Sequence, residues 1–144
     1  MSREARAAMT VIILVAAFAA GCARPSGPVP IAMGTPCASC GMEVGDLGFA
    51  CELARKDSVR IYDSIECLLR DHPAAGDRVY LADYDTRTLH AADSLWIVKG
   101  SFPTPMDGGL AAFRRRSAAD EVAARAHGRV GAWAAAMELL VSAP

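Results

Sequence analysis

Tyr62-Asp63-Ser64, with Gly76-Asp77-Arg78-Val79-Tyr80 after it, and Phe113-Arg114-Arg115-Arg116-Ser117, with Gly128-Arg129-Val130-Gly131-Ala132-Trp133 after it, run in one order. In each, an aromatic strand end leads to a serine able to cap a helix. A glycine follows, then Arg-Val and another aromatic residue. We read this as a weak internal duplication of a ββαβ unit, over about residues 45–86 and 87–141. Chance similarity of two α+β halves is the alternative.

The elements around these stretches fit that reading. Phe49-Ala50-Cys51-Glu52-Leu53-Ala54 and Ser58-Val59-Arg60-Ile61-Tyr62 read as two strands with a turn at Lys56-Asp57. Asp63 or Ser64 caps the helix carrying Ile65, Leu68 and Leu69, and Cys67 stands where a capping box would have Glu. Pro73 and Gly76 end that helix, and Arg78 to Tyr84 reads as a third strand. In the second half, Thr88 to Val98 is strand-like, most strongly at Leu95-Trp96-Ile97-Val98. Residues 100–109 form a loop, and Leu110-Ala111-Ala112-Phe113 returns as a strand. Ser117 is expected to cap the next helix, with Asp120 and Glu121 in its first turn and Gly128 at its end. A last strand at Arg129–Trp133 and a short helix from Ala135 to Val141 complete the chain.

The 144 residues make one domain plus a leader. A net charge of −1 gives no basic face for nucleic acid. Arg3 and Arg6 precede the apolar run Ala7 to Ala20, which has the length of a signal-peptide core and is too short to span a membrane. It ends in Ala19-Ala20-Gly21-Cys22, similar to the box at which bacteria attach lipid to the cysteine; Ala19 stands where Leu is usual. Residues 1–21 then read as a lipoprotein signal peptide and Cys22 as the lipidation site. A plain secreted protein with an incidental cysteine is the bland alternative. The Pro/Gly/Ser-rich segment 22–35 reads as a flexible tether, leaving 36–144 as the folded domain. The expected location is the bacterial cell envelope: the outer membrane facing the periplasm, or the extracytoplasmic face of the inner membrane.

Chemistry concentrates in Cys37-Ala38-Ser39-Cys40-Gly41-Met42. Two thiolates three residues apart converge on one ion if the backbone turns, and Gly41 permits the turn that brings Met42 alongside. Thiolate and thioether together favour copper(I) over hard cations. Zinc normally wants four N or S ligands, and no second C-x-x-C or H-x-x-x-H is present. Met106, in the loop Phe102 to Gly109, is a candidate third soft ligand; the bland reading is a packing anchor. Met33 is a weaker candidate, and Met137 reads as core. A thiol-disulfide redox pair and a structural lipoprotein with a disulfide-closed C-x-x-C are the competing readings. The pair lacks the preceding strand that redox chemistry usually has. Cys51 and Cys67 read as buried thiols or one disulfide. His72, His90 and His127 read as structural, and Arg114-Arg115-Arg116 as a solvated face, with docking to an acidic partner the minor reading. No hydrolytic triad or phosphate-binding glycine loop is present. Cleavage of carbon–mercury bonds stays open as an enzyme class, but the sequence identifies no acid to protonate the leaving carbon.

On these residues the chain resembles the NosL family of nitrous oxide reductase accessory proteins. The likeness rests on the Cys22 box, Cys37 to Val44, Tyr62 to Leu68, Val79 to Tyr84, Ala91 to Val98 and Pro105-Met106-Asp107-Gly108-Gly109 with Ala112-Phe113. It implies an α+β fold of two ββαβ-type units related to the organomercurial lyase fold. It also implies a non-enzymatic, membrane-anchored copper(I) chaperone that supplies the copper site of nitrous oxide reductase with a membrane transporter complex. Carried over by position, Cys40 and Met42 are the first ligands, with Cys37 next and Met106 from the later loop. Aspartate follows Met106 where the family often has glycine, and Cys51 and Cys67 have no place in the pattern.

Overall fold

The computed structural model describes residues 27–141. The leader and Cys22 lie outside them. The fold is α+β, with two antiparallel sheets built by the same rule. In the first, β1 (Cys51–Arg55) pairs with β2 (Ser58–Tyr62) on one side and β3 (Arg78–Asp83) on the other, and α1 (Ile65–Arg70) crosses from β2 to β3. In the second, β5 (Trp96–Lys99) lies between β6 (Leu110–Phe113) and β7 (Arg129–Ala132), and α2 (Arg116–Arg125) crosses from β6 to β7. The ββαβ unit therefore occurs twice, with its first strand central each time.

The structure moves several expected boundaries. β4 (Thr88–Ala91), placed by sequence in the second unit, pairs with β3 and makes the first sheet β2-β1-β3-β4. Strand propensity alone does not name a partner. The segment read as tether to residue 35 is laid against the first sheet from Val29, whose N–H donates to Glu52 Oε2 at 2.7 Å. Gly34 and Val44, then Val44 and Thr35, exchange backbone bonds of 3.0 and 2.9 Å. Ser117 lies inside α2, whose N-cap is Arg115 with no side-chain cap. Helix α3 (Ala136–Val141) buries Ala136 and Leu139 but leaves Met137 46% exposed, so Met137 is not core.

Two helix ends share one device. His72 and His127 have φ of 49° and 50°, the left-handed conformation that stops a helix. After α2, Gly128 N–H reaches back to Ala123 O at 2.7 Å, the six-to-one bond of a Schellman turn. Gly128 is needed one position later than expected: a Cβ there would lie 2.3 Å from Lys99 O.

Alternation in the second sheet divides the interior. Ile97, Leu110 and Ala112 face a core shared with Leu53, Tyr62, Leu68 and Leu81 of the first unit. Val98, Ala111 and Phe113 face Ala118, Ala119 and Ala123 of α2. The alanines let the helix approach the sheet closely. Leu53, Leu68 and Leu81 have no exposed surface, so truncating any one to Ala costs about 2–5 kcal/mol. The units are tied across by Tyr84 N–H to Ala112 O at 2.8 Å and Arg114 N–H to Asp83 Oδ1 at 3.1 Å. Among the described residues no helix is long and apolar enough to cross a membrane.

Candidate metal centre

The site is assembled where β2 ends and α1 begins. Ser64 is the N-cap of α1, and its Oγ accepts from Cys67 N–H at 3.2 Å. That bond fixes Cys67 in the first turn, with Asp63 immediately before the cap. The sequence signal was correct for the cap; it did not show that Asp63 and Cys67 emerge on either side of it toward one point.

The Cys37–Met42 segment is a turn, not a helix start. Cys37 N–H donates to Met42 O at 2.7 Å, Gly41 N–H donates to Cys37 O at 3.0 Å, and an isolated bridge joins Pro36 to Glu43. Gly41 makes the turn at φ 77°, as its sequence position implied. The turn covers the edge strand β2: Ala38 N–H donates to Ile61 O at 2.8 Å, and Arg60 Nη2 donates to Ala38 O at 3.0 Å. Arg60 is held in turn by Asp71 at 2.6 Å. The edge is thereby capped, and the two thiols of the turn come down over Asp63 and Cys67.

Ligand atoms of Cys37, Cys40, Asp63 and Cys67 all lie within 4.8 Å of one another. Such a group can hold one ion with three sulfurs and an oxygen. Cys40 Sγ points to Asp63 Oδ2 at 3.8 Å, while Asp63 Oδ1 is buried with no hydrogen-bond partner. A buried carboxylate oxygen without a donor is costly, and a cation at this point would satisfy it. All four described cysteines are free thiols, so Cys51 and Cys67 form no disulfide. Cys51 is fully buried and donates to Phe49 O at 3.2 Å.

Burial pushes the Cys37 thiol above its ordinary value. Burial, then hydrogen bonding to Asp63 and Cys40, pushes Cys67 up further. Cys51 is raised well above by burial and by the carboxylates of Glu66 and Asp63. These thiols keep their protons until something of greater attraction displaces them. A soft cation does so, because the metal–thiolate bond replaces S–H and neutralises the buried charge. The exposures are graded: Cys67 has none and Cys37 4%, whereas Cys40 is half-buried. Cys40 is therefore the thiol of the cluster that is reachable from solvent.

Of the residues picked from sequence, Cys37 and Cys40 are in the cluster. Met42 is 46% exposed and lines a groove that opens onto Asp63. Met106 is half-buried and packs on the core group containing Cys37 and Cys67. Met33, at 58% exposure, faces solvent. Cys67 and Asp63 were missed as members of the cluster, and Asp63 is also the acid beside thiols that the sequence did not reveal.

The Met106 loop is pinned to α1 by Glu66. This carboxylate is 2% exposed; its Oε1 accepts from Thr104 Oγ1 at 3.1 Å and Leu110 N–H at 3.3 Å. Thr104 Oγ1 also accepts from Gly109 N–H at 3.1 Å. Gly108 lies so close that a Cβ there would be 2.4 Å from Glu66 Cγ. Two cations of the basic run are paired locally: Arg115 pairs with Asp85 at 3.0 Å, and Arg116 pairs with Asp120 at 2.8 Å while lying over Trp96.

Fold and site together define a two-unit α+β protein with a three-thiol, one-carboxylate cluster able to hold a metal ion where the first strand pair meets its helix. No family model matches the chain, and no curated protein matches it. Among solved structures, it is similar to the crystal structure of the copper chaperone NosL from Shewanella denitrificans, with a TM-score of 0.64 and 20% identity over 75% of this chain and 93% of that one. The two proteins share a fold.

Proposed function

We propose that this protein is a copper(I) carrier that holds its cargo on Cys37, Cys40 and Cys67 and surrenders it through Cys40. The observation that carries the reading is the gathering of three free thiols and a carboxylate within 4.8 Å, one thiol being reachable from solvent. Three thiolates suit copper(I), which accepts two or three soft ligands. Zinc is the rival ion, since three sulfurs and an oxygen also make a four-coordinate set. Two features favour copper(I): the thioether of Met42, which shares a groove with Asp63, with Met106 packed on the core that includes Cys37 and Cys67, and the fold shared with a copper chaperone.

The finer reading is that Cys22 carries lipid and holds the carrier at the bacterial envelope, facing the periplasm. There it serves the copper site of nitrous oxide reductase with a membrane transporter complex. The sequence pattern and the shared fold support this. Anchoring raises the carrier's effective concentration near a membrane partner.

No reaction is assigned to the protein. It is expected to bind an organomercurial through its thiols without releasing the hydrocarbon, despite Asp63 beside them. The test of the main reading is anaerobic titration with copper(I) against a competing chelator, with zinc in parallel. Wild type should bind one copper(I) and prefer it to zinc. Loss of neither thiol pair nor Cys67, as C37S/C40S and C67S, changing the copper(I) affinity would end the reading.

A further inference from the structure

Beside the thiol cluster lies an open cavity of about 520 Å³. Asp63 and Met42 are part of its lining, so it is continuous with the proposed metal site. Its apolar wall is stiff. Tyr84, 36% exposed, is held in ring contact with Phe49 at 5.1 Å and Phe113 at 5.7 Å, and Pro103 and Pro105 also line the groove. Its charge is of one sign. Glu43, Asp46 and Asp63 contribute carboxylates, and no Lys, Arg or His lines it. Asp46 is partly offset by Arg87 at 3.5 Å, an exposed pair of little strength. Glu43 is exposed and forms no ion pair among the described residues. Among the described residues the acid around this apolar floor is neutralised only in part, by Arg87 at Asp46.

We propose that this groove receives a cationic segment of the protein that takes the ion, one with Lys or Arg beside an imidazole or thioether ligand. This rests on the carrier reading and adds the partner's chemistry. The apolar part of the segment packs on Tyr84 and the prolines. Its cations face Glu43 and Asp46, which places its metal ligand next to Met42 and Cys40. Electrostatic complementarity of this kind acts chiefly on encounter rate and on rejection of wrong partners. An anionic acceptor with equally good ligands is then disfavoured.

The test uses two synthetic peptides with one His/Met ligand set, flanked by Lys in one and by Glu in the other. Binding to the metal-free protein is read from backbone amide shifts, and copper(I) transfer from loaded protein by stopped flow. The Lys peptide should shift amides around residues 43–46 and 103–105. It should accept copper about tenfold faster than the Glu peptide at about 0.02 M salt, and the difference should vanish near 0.5 M. Glu43→Lys should abolish the preference without changing copper affinity, and Glu138→Lys, on α3 outside the groove, should preserve it. Equal rates for the two peptides at low salt, or an undiminished preference in Glu43→Lys, overturn the inference. Failure to bind copper at all overturns the carrier reading instead, and the amide shifts still decide whether the groove takes the cationic peptide.

Discussion

The number of thiols that close on copper(I) should be readable from the pH dependence of its affinity. Cys37 and Cys67 hold their protons more tightly than an ordinary thiol because they are buried, and Cys67 also because of Asp63 and Cys40. A thiol's ordinary value is near 8.5, so between about pH 6 and 7.5 the raised pair is protonated in the free protein. Every thiol that becomes a ligand then releases a proton. Affinity must rise with pH, about tenfold per unit for each proton released, or about 1.4 kcal/mol. Cys37 and Cys67, both coordinating, contribute about two decades per pH unit to the slope; Cys37 without Cys67 contributes about one. Cys67→Ser keeps the side chain's shape but removes the soft ligand, and should lower the slope by about one decade per pH unit along with the affinity. The assay is anaerobic competition with a chelator of known pH behaviour at four or five pH values, with near-ultraviolet dichroism to show that the variant is folded. A slope that Cys67→Ser leaves unchanged would show that Cys67 is outside the shell, and the reasoning from the four-residue grouping would fail.

Three further outcomes are expected. Brief alkylation of the metal-free protein should label Cys40 before Cys37, Cys67 and Cys51, following exposure, as read by peptide mass spectrometry; early labelling of Cys51 would contradict its complete burial. Glu66→Ala removes the acceptor of Thr104 and Leu110 and should lower unfolding stability by about 2 kcal/mol, since two donors lose a buried carboxylate; the relief of its unpartnered Oε2 offsets part of the loss, and urea unfolding measures the balance. Glu52 is buried, and burial raises its carboxyl above the ordinary 4.5, although Val29 N–H and Arg78 pull the other way. The native state thus binds this proton more tightly than the unfolded chain, so this group's contribution to stability falls as pH rises from the ordinary value through the raised one. Glu52→Gln should remove that decline, seen as a higher Tm than wild type at neutral pH and no gain at pH 3.5; equal Tm at both would refute it.

The sequence by itself determined the local order of this protein. The strand run at Ser58–Tyr62, the Ser64 cap, helical spacing at Ile65, Leu68 and Leu69, and the glycine at residue 41 are short-range facts, decided by backbone sterics and by which face a side chain can bury. The repeat of that order was enough to read two ββαβ units. Pairing and convergence were decided only in three dimensions. Thr88–Ala91 has strand character wherever it lies, and the free edge of β3 gave it a partner in the first sheet. Cys37 and Cys40 are about 25 residues from Asp63 and Cys67 in the chain, and no spacing rule joins them. Docking of their turn on the edge of β2, through Ala38 N–H and Arg60, brings the four together. Adjacent ligands can be read from a motif because the chain between them is short, whereas distant ones meet only after the sheet has fixed where each loop must lie.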